Sequence, residues 1–240
     1  MDVTSHVTLS RQQGLSRELD TIANNIANMA TSGYRREGIV FSEHVRGSED
    51  GPSVSFGHAR ARFQDDLPGQ LTPTGGALDL AVRGEGYFQL ETGNGRYLTR
   101  AGAFMLDATG QVVSPSGGRL LDEAGIAVVV PPGAGDIHIA NDGTLTAGGE
   151  PFARIGLYAP APGAEFIRTD GVAFQSDQPF IAVPDGEVAQ GFVEGSNVSP
   201  VWEMTRMIEV QRAYEFNQSL LDREDDRIRN VIRTLGQATS

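Results

Sequence analysis

The chain has no lysine and no cysteine in 240 residues. Without lysine there is no phosphate-loop lysine, no Schiff-base amine and no lysine general base. Without cysteine there is no disulfide framework, thiolate nucleophile or cysteine zinc site. A cysteine-free chain also suits passage across a membrane in the unfolded state, where thiols would oxidise. No stretch approaches the roughly 20 apolar residues of a membrane span, so membrane insertion is not expected. The opening MDVTSHVTLSRQQ lacks a basic segment followed by an apolar core, and no cleavable secretory signal is expected. Cations are scarce as well. The 19 basic residues, all arginine, face 31 acidic ones, for a formal charge of -12. That balance argues against a nucleic-acid partner, whose affinity comes from clustered cations.

Glycine (30) and proline (12) are plentiful, which points to many turns and short strands. Ala77 to about Gln190 reads as all-β. Leu78, Leu80 and Val82 alternate with Asp79 and Ala81, and Gly93-Asn-Gly95 reads as a hairpin turn with Asn and Gly at positive φ. Turn sequences recur at 107–110, 114–118, 122–125, 141–143, 170–171 and 185–186. Short strands between such turns predict an irregular sandwich or barrel. Ile126–Val130 is the most apolar strand candidate, stopped by Pro131-Pro132. About 110 residues suffice for one independent core.

Both ends of the chain read as helix. From Thr4 or Ser5 to Met29, the residues Leu15, Leu19, Ile22, Ile26 and Met29 recur at alternating intervals of four and three, a narrow coiled-coil seam. Asn24, Asn25 and Asn28 sit beside it. Amides are poor helix formers, so they make either a solvated polar face or bonds to neighbouring subunits. Gly33 can take a left-handed cap conformation. At the other end Ser199-Pro200 provides an N-cap and a proline at the first helical position. Met207, Tyr214, Leu221, Ile228 and Leu235 then fall every seven residues. Met204, Gln211, Gln218, Asp225 and Ile232 occupy companion positions three residues earlier. The pattern predicts a second seam of about 54 Å over Pro200–Leu235, with polar residues in it that fix register. An amphipathic helix lying on the β domain is the alternative. Residues 34–76 lie between the first helix and the β region as an extended connector, with a loop at 47–52 and an alternating stretch, SVSFGHARARF, over 53–63. The expected fold class is therefore α+β: 1–33 helical, 34–76 connector, 77–190 an all-β central domain, and 191–240 helical, with coiled-coil ends flanking the β body.

Catalytic patterns are missing. His6, His44, His58 and His138 are scattered without metal-ligand spacing, no GxSxG elbow occurs, and Gly84-Glu-Gly86 leads into a strand rather than a dinucleotide-binding helix. Asp65-Asp66 and Asp225-Asp226 could be cast as a hydrolase's carboxylate pair, but neighbouring residues on one element point apart. No cofactor, no metal site and no catalytic residue is expected.

Three stretches carry a family signature. Leu19–Asn28 (LDTIANNIAN) with Thr31, Gly33, Tyr34 and Arg35 resembles the N-terminal motif of bacterial flagellar rod and hook proteins. Leu78–Phe88 (LDLAVRGEGYF), with Tyr97–Arg100, Leu106, Asp107 and Gly110, resembles their central block. Gly191–Val198 (GFVEGSNV), with Glu203, Met204, Met207–Glu209 and Gln211–Tyr214, resembles their C-terminal motif. The three occur in the family's order over about half the chain. The resemblance implies a structural, non-enzymatic subunit of the flagellar basal-body rod that crosses the periplasm, exported by the flagellar type III apparatus. Its partners would be copies of itself and other rod subunits, joined through paired terminal helices. Length and the opening VTLSRQQ (7–13) resemble the proximal-rod type. Distal-rod members are longer, with a larger insertion where this chain has His44–Phe63, and they and hook-type subunits are the alternative. The expected polymerisation interface comprises the seam residues, Asn24, Asn25, Asn28, Gly33 and Tyr34 at one end. At the other it comprises Asn197 together with Met204, Met207, Gln211, Tyr214, Gln218, Leu221, Ile228, Ile232 and Leu235 of the C-terminal seam.

Overall fold

The computed structural model describes residues 3–48 and 51–238. It is α+β, a mostly β region between an N-terminal and a C-terminal helix. The chain divides into two compact units. One contains the residues up to Ala27, Arg36–Asp66, and everything from Val198 onward; the other contains Asn28–Arg35 and Leu67–Asn197.

The first unit is built from α1 (Val3–Ala27), the hairpin strands β1 (Glu37–Ser48) and β2 (Gly51–Gln64), and α2 (Pro200–Ala238). Helix α1 ends two residues before the expected Met29, because residues 28–33 turn instead. At 39 residues, α2 is about 58 Å long. The segment expected to be an extended connector contains a long antiparallel hairpin. Its register runs from Glu37 opposite Gln64 to Ser48 opposite Gly51, with irregularities at Val40/Phe41 and Arg46/Ser48. The alternation over 53–63 is the signal of β2; of the expected loop at 47–52, Gly47 and Ser48 belong to β1 and Gly51 and Pro52 to β2, and residues 49–50 lie outside the described residues.

The second unit holds all the other strands: β3 (Leu71–Pro73), β4 (Leu80–Arg83), β5 (Tyr87–Thr92), β6 (Gly95–Thr99), β7 (Met105–Leu106), β8 (Val112–Val113), β9 (Arg119–Leu120), β10 (Ile137–Ile139), β11 (Thr144–Ala147), β12 (Glu150–Arg154), β13 (Leu157–Ala159), β14 (Phe166–Asp170), β15 (Ala173–Ser176), β16 (Ile181–Ala182), β17 (Glu187–Gln190) and β18 (Phe192–Glu194). The largest sheet runs β14-β15-β6-β5-β9-β8-β7, with β13 pairing both β5 and β16. Three smaller sheets are β10-β11-β12, β17-β4 and β18-β3. The last two join residues far apart in sequence, Val188 opposite Val82 and Glu194 opposite Leu71. Leu80, Phe88, Leu120, Leu145, Leu157 and Val188 are buried in one apolar core, where the Phe88 and Phe104 rings meet edge-on at 5.5 Å.

Two local expectations change. The β5–β6 turn has Thr92 opposite Gly95, but within it only Gly95 is left-handed (φ 118°); among the described residues no non-glycine residue, Asn94 included, has positive φ. Ile126–Val130 forms isolated bridges rather than a strand, with Ala127 opposite Leu121 and Val129 opposite Gln111. Val128 and Val130 turn into the core while Ile126 and Val129 face solvent. Its backbone bonds are divided between two neighbours, with the Val128 N–H donating to Leu120 O while Val128 O accepts from the Val112 N–H, so it forms single bridges and not a continuous ladder.

Candidate assembly surfaces

Within the helical unit, α1 lies along α2. The face α1 turns inward is Gly14, Glu18, Thr21, Ile22 and Asn25, all buried. Of the expected α1 seam only Ile22 belongs to that face. Leu15, Leu19 and Ile26 are half-buried beside it, and Met29, beyond the helix end, is 43% exposed. The inward line of α2 is Glu203, Val210 and Asn217, with Met207, Tyr214 and Leu221 half-buried alongside. Met207, Tyr214 and Leu221, expected to form the seam itself, therefore flank the contact. Its companion line is displaced by one residue from Met204, Gln211, Gln218 and Asp225, which are exposed, to 203, 210 and 217. Ile228 is also exposed, and the side chains of Ile232 and Leu235 lie outside those described.

The physical reason is that polar side chains make the contact inside this unit. Arg206 Nη2 sits 2.6 Å from Glu18 Oε1, and Asn217 Nδ2 donates to the Thr8 carbonyl at 2.9 Å. Gln12 Nε2 donates to Gln218 Oε1 at 2.6 Å. Asn25 forms a two-point clasp on the Glu37 peptide: its Nδ2 donates to Glu37 O at 2.8 Å and its Oδ1 accepts from Glu37 N at 3.0 Å. Arg36 Nε donates to the fully buried Glu203 at 2.5 Å. Burial pulls the Arg206 pKa down, but its bonds to Glu18 and Glu209 outweigh this and the net shift is upward.

Within the β unit, the turn after α1 is held by the far end of the chain. Gly33 has φ 70°, and a Cβ there would lie 2.2 Å from the Ala101 nitrogen, so only glycine fits. Its N–H donates to Glu194 O at 2.8 Å, and Ser32 Oγ donates to the same carbonyl at 2.9 Å. The Glu194 carboxylate bridges two buried arginines, with Arg35 Nη2 2.7 Å from Oε1 and Arg100 Nη1 3.3 Å from Oε2. Gly69 N–H donates to Oε1 at 3.0 Å. The surplus positive charge is shared by carbonyls: Arg35 donates to Leu67 O, and Arg100 to Gly84 O at 2.8 Å. Burial lowers the Arg100 pKa, Glu194 opposes this, and the nearby Arg35 adds to the lowering. Tyr34 is buried under the Arg168 guanidinium, 4.3 Å from its ring centre.

The amides expected to reach neighbouring subunits are largely engaged inside the chain. Asn25 holds Glu37, Asn28 Oδ1 accepts from Thr31 Oγ1 at 3.1 Å, and Asn197 Nδ2 donates to Leu67 O at 2.9 Å. Asn24 is exposed. Sequence reasoning assigned no role to Arg35, Arg36, Glu194, Arg100 or Glu203. Arg35, Arg100, Glu194 and Glu203 do fall within the three signature stretches, which was the available signal; Arg36 lies just outside them. Among the described residues no helix is long and apolar enough to cross a membrane, and no group of three or more His, Cys, Asp or Glu residues could hold a metal ion.

Three family models match the chain in order: flagella basal body rod protein over residues 7–35, flagellar hook protein FlgE/F/G D1 domain over 81–147, and flagellar basal body rod FlgEFG protein C-terminal over 189–234. The chain is 37% identical to the flagellar basal-body rod protein FlgF of Mesorhizobium japonicum, over 98% of this chain and 99% of that protein. It is 35% identical to FlgF of Caulobacter vibrioides over 99% of both. Identity to the flagellar basal-body rod protein FlgG of Agrobacterium fabrum is 32%, over 90% of this chain and 93% of that one. With relatives this similar over their full length, and with matches at both ends and the middle, the chain belongs to the flagellar basal-body rod protein family.

Proposed function

We propose that this chain is a structural subunit of the flagellar basal-body rod, of the proximal FlgF type, which polymerises axially through α1 and α2. It resides in the basal body where the rod crosses the periplasm. Its partners are copies of itself and other rod subunits, and the flagellar type III apparatus delivers it. In this reading α1 (Val3–Ala27) and α2 (Pro200–Ala238) supply a coiled-coil helical wall, the unit holding Asn28–Arg35 and Leu67–Asn197 forms a β body of sandwich or barrel type, and no chemistry is catalysed.

One observation carries the assembly role. The inward faces of the two helices mix buried polar residues (Glu18, Thr21, Asn25, Glu203 and Asn217) with only Ile22 and Val210 as fully buried apolar side chains, while many other apolar side chains stay exposed. Val201, Met204, Ile208, Phe216, Leu220 and Ile228 on α2 are exposed, as is Leu9 on α1. An apolar array of this size on a soluble helix pair marks a surface that other subunits cover. Many such contacts per subunit make a stiff tube suited to transmitting torque.

The test replaces Phe216 and Ile228, both exposed, with Asp. Two charges among these exposed apolar positions should block incorporation into the rod and abolish swimming, while the melting temperature of the isolated chain stays within experimental error. Normal swimming with both substitutions in place would overturn the reading.

A further inference from the structure

The β unit contains a cleft of about 430 Å³, within the roughly 300–1,000 Å³ of small-molecule sites. Its floor is Gln89 on β5. Alternate side chains of a strand take opposite faces, so Phe88 and Leu90 enter the apolar core and Gln89 between them faces the other way. Gln89 also sits where β5 changes partner: β13 pairs with Tyr87 and Phe88, and β9 with Leu90 and Glu91. The Gln89 carbonyl accepts from the Leu121 N–H at 3.0 Å. Its side chain is unused. The residue is 5% exposed, yet among the described residues its carboxamide has no hydrogen-bond partner. A buried amide left unpaired costs free energy that an entering donor and acceptor recover. Around this floor stand Arg96, Glu123, Ser176 and Gln178, with the rings of Tyr158 and Phe180. The Tyr158 hydroxyl donates to Glu123 O at 3.0 Å, which fixes the ring. Arg96 has Glu91 3.7 Å from its Nε, and Glu123 has Arg154 at 3.6 Å. Neither sign of charge dominates.

We propose that this cleft binds an N-acetylated sugar residue of a neutral glycan. The lining combines a guanidinium that only donates, a carboxylate that only accepts, and two carboxamides that do both. A hydroxyl is the ligand group that serves all three, because it donates and accepts. A carboxylate ligand would meet Glu123, and an amine would meet Arg96. The C–H faces of a sugar ring supply the apolar surface that covers Tyr158 and Phe180. The acetamido group answers Gln89. Two amides can pair at two points, as the Asn25 side chain does on the Glu37 peptide in this same chain. The cleft lies wholly within the β unit and uses none of the exposed apolar positions of α1 and α2. The proposal therefore goes beyond the axial-subunit reading and does not depend on it.

The test titrates the isotope-labelled full chain with tri-N-acetylchitotriose and follows it by NMR. The side-chain amide of Gln89 and the backbone amides of Ser176 and Gln178 should shift and saturate, while resonances of α1 and α2 stay in place. Gln89→Leu should weaken binding roughly tenfold or more, the loss expected for one good hydrogen bond. Its melting temperature should stay at or above the parent's, because the change removes an unpaired buried amide. A Gln89 with a purely structural role would instead give a lower one. Phe180→Ala, half-buried at the rim, should weaken binding without touching the floor. Maltotriose, which has the hydroxyls and lacks the acetamido groups, should bind roughly tenfold more weakly or worse. Three results overturn the proposal: no saturable shift, equal affinity for maltotriose, or an affinity indifferent to both Gln89→Leu and Phe180→Ala. Tighter binding of an N-acetyl dipeptide amide than of the trisaccharide would also overturn it and assign the cleft to a peptide. None of these outcomes bears on entry into the rod, so the axial reading stands or falls separately.

Discussion

Glu194 holds two guanidiniums at once, and its side chain is 1% exposed. Removing one member of a buried ionic group leaves uncompensated charge, which costs about 3–5 kcal/mol. Glu194→Ala should therefore lower the stability of the β unit by about that amount, read as a shifted urea midpoint, and a shift under 1 kcal/mol would mean that water already reaches Arg35 and Arg100. Asp107 offers a contrast at the same scale. Its exposed carboxylate accepts from the Thr109 hydroxyl and from the Gln111 and Thr109 amides, and the Thr109 hydroxyl bond is the largest reason its pKa lies below the ordinary 3.8. A depressed folded-state pKa means the carboxylate's contribution is complete above the unfolded-state pKa and is lost as pH falls through the folded one. Asp107→Ala should thus be less stable than the parent near neutrality, with the gap closing below pH 3.8. Chemical denaturation at several pH values checks this. The Asp107 turn was legible because Asp-x-x-Gly encodes it locally. Glu194 was not, since nothing in its neighbours announces partners at positions 35 and 100.

At the scale of elements, what could be read depended on whether the deciding contacts were apolar. The heptad through Met207, Tyr214 and Leu221 was visible because large apolar residues mark it, and those residues do border the helix contact. The line beside it was misplaced by one residue because Glu203 and Asn217, which fill it, look like solvent-facing positions when the sequence stands alone. Strands β1 and β2 were half-visible, as an alternating stretch without its partner, because strand pairing is a long-range choice. Asn217 shows how such a polar position works. Its amide bonds the Thr8 carbonyl across the two helices, so a helix sliding by one turn would lose it. Asn217→Ala should weaken the pairing by about 1 kcal/mol, raising hydrogen-exchange rates along α1 while the protection of β5 and β6 stays unchanged. Equal acceleration in both units would show that the effect is global and not a loss of this bond.

At the scale of the whole molecule, the boundary between the two units falls inside the N-terminal motif and not at its end. Asn28–Arg35 belongs with the β unit, where Gly33, Ser32 and Arg35 are all bonded to Glu194 and the Tyr34 carbonyl accepts from the Asn197 amide at 3.3 Å. The β fold is therefore completed by two short segments more than 150 residues apart, as the Ser32–Glu194 separation of 162 shows, and a chain emerging in either direction cannot finish it until both have emerged. This makes a sharp prediction from two truncations. Removing residues 1–30 leaves Ser32, Gly33 and Arg35 in place, so the β unit should melt as in the parent. Removing residues 1–35 takes away Arg35 and strands half of the Glu194 carboxylate, which should cost about 3–5 kcal/mol and appear in calorimetry as a β-unit transition lowered by many degrees. Neither truncation should enter the rod, since both lack α1. Identical melting of the two would mean the turn is a passenger on the β unit, and the clamp through Glu194 would have to be abandoned.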